Sequence, residues 1–95
     1  MAKKSIHCKL VTPAAAVLDE QVAYANVPLW DGLMGFLPGR AAILARLGKG
    51  ELKLDYADPA KPGTTRPASF KVEGGFVKMA NDQLTILAER ATPVG

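Results

Sequence analysis

"SFKVEGGFVKMANDQLTILAE", residues 69–89, carries the pattern that decides the fold class. Phe70 and Val72 alternate with Lys71 and Glu73, the period of a strand with one face in a core. Beyond Gly74 and Gly75, Phe76, Lys78 and Ala80 fall on one side of the chain, and Val77 and Met79 on the other. Asn81-Asp82 is a turn signal, after which Leu84, Ile86 and Ala88 alternate with Thr85 and Leu87.

The pattern continues outward from this stretch. In residues 5–11, Ile6, Cys8 and Leu10 share one face and His7 and Lys9 the other. In residues 51–54, Leu52 and Leu54 oppose Glu51 and Lys53. Gly48-Lys49-Gly50 predicts a hairpin turn joining two strands. The segment "DYADPAKPGTTRP", residues 55–67, has three prolines and no apolar period, and reads as an exposed connection. Short strands punctuated by turn residues predict an all-β sandwich or barrel.

Residues 12–25, "TPAAAVLDEQVAYA", pull the other way. Thr12 is a helix cap, Pro13 suits the first helical position, and Leu18, Val22 and Ala25 share a helical face. As a strand, the segment needs a turn near Asp19-Glu20-Gln21. Val22, Tyr24 and Asn26 then lie on one face, with Ala23, Ala25 and Val27 on the other. "AAILARL", residues 41–47, is ambiguous in the same way.

The chain has 95 residues, enough for one domain over residues 1–95 with a single core. Hydrophobic residues at 48% and charged residues at 22% are a globular composition. The net charge of +3 includes one basic cluster, Lys3, Lys4 and Lys9. That is too little to indicate nucleic acid or a lipid surface. Cys8 is the one cysteine, so no internal disulfide forms, in keeping with a reducing compartment. No apolar run reaches the roughly 20 residues of a bilayer span, and the start lacks a signal-peptide stretch. A cytoplasmic location is the expectation.

Candidates for chemistry are few. His7 and Cys8 are strand neighbours and so point to opposite faces, with no further His or Cys to complete a metal site. The glycines from Gly39 to Gly48 do not match a phosphate loop. Asp19-Glu20 and Asp55 with Asp58 sit in turn-like sequence, and no nucleophile, base and orienter stand together. Tyr24 and Trp30 lack the interleaved cations of a base-stacking platform.

One segment is unusual. "WDGLMGFLPGRAAI", residues 30–43, sets Trp30, Leu33, Met34, Phe36 and Leu37 among three glycines and a proline. Turns lie at the surface, so this apolar area either folds back or is covered by something else. Phe36 and Leu37 are expected to close the end of the core.

Val11-Thr12-Pro13, Val27-Pro28, Asp31-Gly32, Gly35-Phe36-Leu37-Pro38-Gly39-Arg40, Phe70 to Phe76 and Asn81 to Ala91 occur in order over nearly the whole chain. This ordered set resembles the epsilon subunit of bacterial and chloroplast F-type ATP synthases. The resemblance implies a flattened β-sandwich of about ten strands, and it turns residues 14–25 from helix to strand. It implies a non-catalytic subunit of the rotating central stalk, with no cofactor or metal. Its partners would be the gamma subunit and the membrane c-ring, coupling ion-driven rotation to ATP synthesis from the cytoplasmic face of the membrane. The c-ring contact corresponds to Trp30, Asp31, Gly32 and Leu33, and the gamma contact includes Arg40, Ala42 and Ala45.

Departures from the family pattern are Gly32-Leu33-Met34-Gly35, where Gly-Glu is common, and Arg40-Ala41-Ala42, where His-Ala-Pro is common. An apolar ring contact and a permanent cation toward gamma are the expected consequences. Most members continue into a two-helix C-terminal domain that inhibits ATP hydrolysis and in some binds ATP. These 95 residues stop at Gly95, so the resemblance reaches the β-sandwich and no helical hairpin is expected. The alternative is a free-standing β-sandwich module for a peptide or sugar, which needs a concave site with polar and aromatic residues.

Overall fold

A computed structural model describes residues 5–39, 41–57 and 65–94. They form seven strands: β1 (Ile6–Val11), β2 (Ala16–Leu29), β3 (Gly32–Phe36), β4 (Ile43–Arg46), β5 (Lys49–Ala57), β6 (Thr65–Ala80) and β7 (Gln83–Val94). The fold is all-β, as the alternation predicts. The sheet closes on itself in the order β1-β7-β6-β5-β2, with β2 returning to β1. The β1–β7 pair is parallel and the others are antiparallel. β3 adds to β2, and β4 adds to β6. Ile6, Cys8, Leu10, Leu84 and Ile86 are fully buried where β1 meets β7, the faces their alternation assigns them. Phe70, Val72, Val77 and Met79 complete the core from β6.

The count of seven against an expected ten or so reflects strands that bend instead of breaking. β6 is 16 residues long and pairs with two partners along one edge. Its first part holds β5, down to Lys49↔Glu73, and its last part holds β4, from Arg46↔Phe76. The register is unbroken between them: the Leu47 N–H donates to the Gly75 carbonyl at 2.9 Å, and the Gly74 N–H to the Gly48 carbonyl at 3.3 Å. The chain therefore runs straight on from β4 to β5, and the hairpin turn expected at Gly48-Lys49-Gly50 does not exist. Gly48 has a different cause. A Cβ there would lie 2.6 Å from the Leu29 carbonyl oxygen, so the glycine allows two backbones to approach.

β2 overturns the local helix signal. The Thr12 N–H donates to the Ala15 carbonyl at 2.9 Å and the Ala15 N–H returns to the Thr12 carbonyl at 3.2 Å. The threonine-proline pair that reads as a helix cap opens a hairpin turn instead. β2 then pairs with β1 from Leu10↔Leu18 to Ile6↔Val22, with no turn at residues 19–21. A bulge between Val22 and Tyr24 shifts the register against β5. The extra residue breaks strict alternation, so that Val22 is followed into the core by Ala25 and Val27, with Leu29 beyond them. The three-residue step from Val22 to Ala25, which suggested a helical face, is the mark of this bulge. The ambiguous residues 41–47 contain β4.

The expected connection over residues 55–67 is shorter than its sequence suggests, because β5 runs to Ala57 and β6 starts at Thr65. Residues 58–64 of it, and Lys3 and Lys4 of the basic cluster, lie outside the described residues.

Candidate partner interface

Trp30 and Asp31 make the two-residue tip of the β2–β3 hairpin, closed by Leu29↔Gly32. Gly32 leaves the turn at φ 135°, which side-chain-bearing residues rarely adopt. The tip is fastened by its backbone: the Trp30 N–H donates to the Arg46 carbonyl at 3.1 Å, and the Gly48 N–H to the Pro28 carbonyl at 2.8 Å. Its side chains face outward, with Trp30 67% and Leu33 70% exposed. Met34 is half-buried and Phe36 is buried as expected. Leu37, expected in the core, is exposed because it follows the last paired residue of β3 and leads into the Pro38-Gly39 turn.

That turn sits at the opposite end of β3 from Trp30. The Gly39 N–H, at φ 84°, donates to Asp82 Oδ1 at 2.6 Å, tying it to the β6–β7 hairpin. Asn81 and Asp82 both take left-handed φ, 51° and 58°, as the tightest hairpin turns require. Arg40 lies outside the described residues. Ala42 is exposed, whereas Ala45 is half-buried, opposite Val77 and packed on the core. Of the expected gamma set, then, Ala42 stands at the surface and Ala45 is partly covered by the core.

What the sequence reading missed lies beside Ala45. Leu44 and Arg46 point outward from β4, and Leu44 is 72% exposed. Register sets Arg46, Phe76, Leu87 and Val11 in one row across β4, β6, β7 and β1, and Leu44, Lys78, Thr85 and Lys9 in the next. Phe76 and Leu87, 54% and 50% exposed, join Leu44 in an apolar patch rimmed by Arg46, Lys78 and Lys9. The two rows contain no carboxylate. Alternation on residues 43–47, read as a strand, would have placed Leu44 outside. Only the pairing could place it beside Phe76 and Leu87.

The other outward face, on β5, β6 and β7, has the opposite character. Lys49, Glu73 and Arg90 form one row, and Glu51, Lys71 and Thr92 the next, around an open hollow of about 520 Å³. Charges of opposite sign alternate and no aromatic lines it, which describes a solvated face more than a recognition pocket.

Titratable groups are arranged for structure. Cys8 is fully buried, and burial, with Asp19 adding a smaller effect, pushes its thiol up to about 12. His7 Nε2 meets Asp19 Oδ1 on the outer face of β1 and β2. His7 first, by hydrogen bond and charge, and Lys9 after it hold the Asp19 carboxyl below the usual carboxylate range. Among the described residues no three of His, Cys, Asp and Glu gather at a possible metal position, and no helix is long and apolar enough to cross a membrane.

A closed all-β sheet with its one thiol buried in the core and apolar side chains exposed on its outer face is a β-sandwich domain. Residues 5–94 match the family described as ATP synthase, Delta/Epsilon chain, beta-sandwich domain, and the chain belongs to that family. It is 36% identical over 90 residues to the ATP synthase epsilon chain of Rhodopirellula baltica, covering 95% of this chain and 65% of that one. It is 40% identical over 86 residues to the epsilon chain of a Roseiflexus species, covering 90% of this chain and 57% of that one. The chain thus spans roughly three-fifths of these relatives' length. Its fold is also that of a chain in the Euglena gracilis mitochondrial ATP synthase, OSCP/F1/c-ring (TM-score 0.81, 23% identity, 94% of this chain and 53% of that one). A second likeness is to a chain of the Tetrahymena thermophila mitochondrial ATP synthase central stalk and c-ring (TM-score 0.71, 19% identity, 96% and 68%).

Proposed function

We propose that the chain, over residues 1–95, is the β-sandwich domain of an epsilon-type subunit and a non-catalytic part of the rotor stalk of an F-type ATP synthase. It binds the gamma subunit and faces the c-ring, so that ion-driven ring rotation is transmitted to the catalytic head. It is held at the cytoplasmic face of the membrane through the complex and not by insertion. Family membership supports this reading, and the observation that carries it is the apolar patch of Leu44, Phe76 and Leu87. Contiguous apolar area ringed by cations is the anatomy of a protein interface.

We assign this patch to gamma, together with Arg40, with Ala42 just before β4 and with Ala45 on it. Trp30, Asp31, Gly32 and Leu33, at the hairpin tip, are assigned to the c-ring. With Leu33 where an acid is common, the ring contact is apolar around the one charge of Asp31.

Calorimetry of the 95-residue chain with its cognate gamma subunit tests the proposal. One-to-one binding with a negative heat-capacity change is expected, because apolar area is buried. Arg40→Glu weakens it, while Trp30→Ala leaves it unchanged and reduces binding to the c-ring. A folded chain that does not bind a competent gamma subunit refutes the stalk role.

A further inference from the structure

Beside the apolar patch lies a small polar cleft, about 110 Å³, lined by His7, Lys9, Gln83 and Thr85. Its geometry follows from the parallel β1–β7 pair. His7 stands opposite Gln83 and Lys9 opposite Thr85, so four outward side chains form a square. The donors of that square are an ammonium, a carboxamide and a hydroxyl. No carboxylate lines it.

Asp19, in register with Lys9 on β2, is hydrogen-bonded to His7 and attracted by Lys9, but it lies on the β2 side and does not line the cleft. Lys9 is exposed and has no ion-pair partner among the described residues. A cation with an amide and a hydroxyl beside it, in a recess with room for roughly three waters at about 30 Å³ each, is suited to an anionic oxygen group.

The cleft is also continuous with the patch. Lys9 and Thr85 stand in the same row as Lys78 and Leu44, and Val11 and Leu87 in the row of Phe76. A body lying on Leu44, Phe76 and Leu87 therefore passes its rim directly over the cleft. Arg46 and Lys78 make the rim positive on the β4 and β6 side of the cleft, which complements an acidic partner and not a basic one.

We propose that this cleft receives a carboxylate side chain from the protein that covers the apolar patch. An Asp or Glu would accept from Lys9 Nζ, Thr85 Oγ1 and the Gln83 amide, while the Asp19–His7 pair keeps the His7 ring fixed as the fourth wall. The proposal rests on the reading of this face as the gamma contact, and it adds the chemistry of that contact: an apolar surface with one acid aimed between β1 and β7. The partner's acid sets the register of docking, since an apolar patch alone is non-directional.

Titration calorimetry of the full chain against its cognate gamma subunit, at two salt concentrations, provides the test. Lys9→Met and Thr85→Val, both on the surface, should melt as the unchanged protein does. The expected result is a loss of about tenfold in affinity for Lys9→Met and more for Lys9→Glu, with a shallower salt dependence. Exchanging the partner's acid for lysine should restore binding to Lys9→Glu. If both Lys9→Met and Thr85→Val bind gamma as tightly as the unchanged chain, the carboxylate cleft is wrong while the stalk role stands. If the unchanged chain does not bind gamma at all, the stalk role itself is wrong, and the cleft as a receiver of that partner falls with it. Amide chemical shifts during titration with inorganic phosphate and with acetate supply the remaining arm. Saturable millimolar shifts at His7, Gln83 and Thr85, with gamma binding indifferent to Lys9→Met, would make the site one for a free anion and overturn the protein partner.

Discussion

Cys8 and His7 are adjacent, yet strand geometry gives them different chemistry. His7 is outside, held by Asp19, and Cys8 is sealed among core residues with its thiol pushed up to about 12 from an ordinary 9.0. The thiol is therefore neutral in the folded protein and is not a nucleophile at neutral pH. Because the folded state holds this proton more tightly, the associated stability is fully present below pH 9.0. It is lost as pH rises toward 12. Denaturant midpoints should hold up to about pH 9 and fall from there toward pH 10.5, and fall less in Cys8→Ala, where this proton is absent. A thiol reagent at about pH 8 should label the chain only as fast as it opens. Prompt labelling of the folded chain would show the packing around Cys8 to be wrong. Asp19 has the opposite sign. Its depressed carboxyl contributes above the ordinary carboxylate range and loses that contribution as pH falls.

Two elements bend at defined places, and both bends redirect side chains. In β2 the bulge at Val22–Tyr24 lets Val22, Ala25 and Val27 all reach the core. In β6 the outward set changes from Lys71 and Glu73 to Phe76 and Lys78 across Gly74-Gly75. This change of parity allows one strand to serve the charged face and the apolar face in turn. Gly75 has φ 117°, and a Cβ there would collide with the Leu87 carbonyl oxygen. Gly75→Ala should thus cost about 3 kcal/mol or more, through backbone strain and steric overlap with β7. For a domain of this size that lowers the melting temperature by more than about 10 °C. Calorimetric melts of the variant measure it, and an unchanged transition would mean that the β6 bend is not held by this glycine.

For the whole molecule, the two faces of the closed sheet divide the work. The face around Glu73 and Lys71 is a lattice of opposite charges suited to water, whereas Leu44, Phe76 and Leu87 expose apolar area. Phe76→Ser should reduce affinity for gamma at least tenfold, since central aromatic residues dominate interfaces, with little change in melting temperature because the side chain is already exposed. Glu73→Gln on the other face should leave affinity unaltered. If the two variants behave alike in the binding assay, the patch is not the contact.

The sequence alone determined the class of fold and most of the core. Alternation in β1, β6 and β7 is a local property, because a strand turns each successive side chain to the other side whatever it pairs with. The apolar hairpin tip of Trp30 and Leu33 was legible for a similar reason: large apolar residues on a turn stand out without knowledge of their neighbours. Residues 12–25 and Gly48 were misread because their causes lie elsewhere in the chain. The bulge in β2 exists only against β5, and Gly48 exists for the Leu29 backbone. The patch and its polar cleft belonged to tertiary structure alone. Leu44 is far along the chain from Phe76 and Leu87, as Lys9 is from Thr85, and strand register, which depends on how the whole sheet closes, brings them side by side.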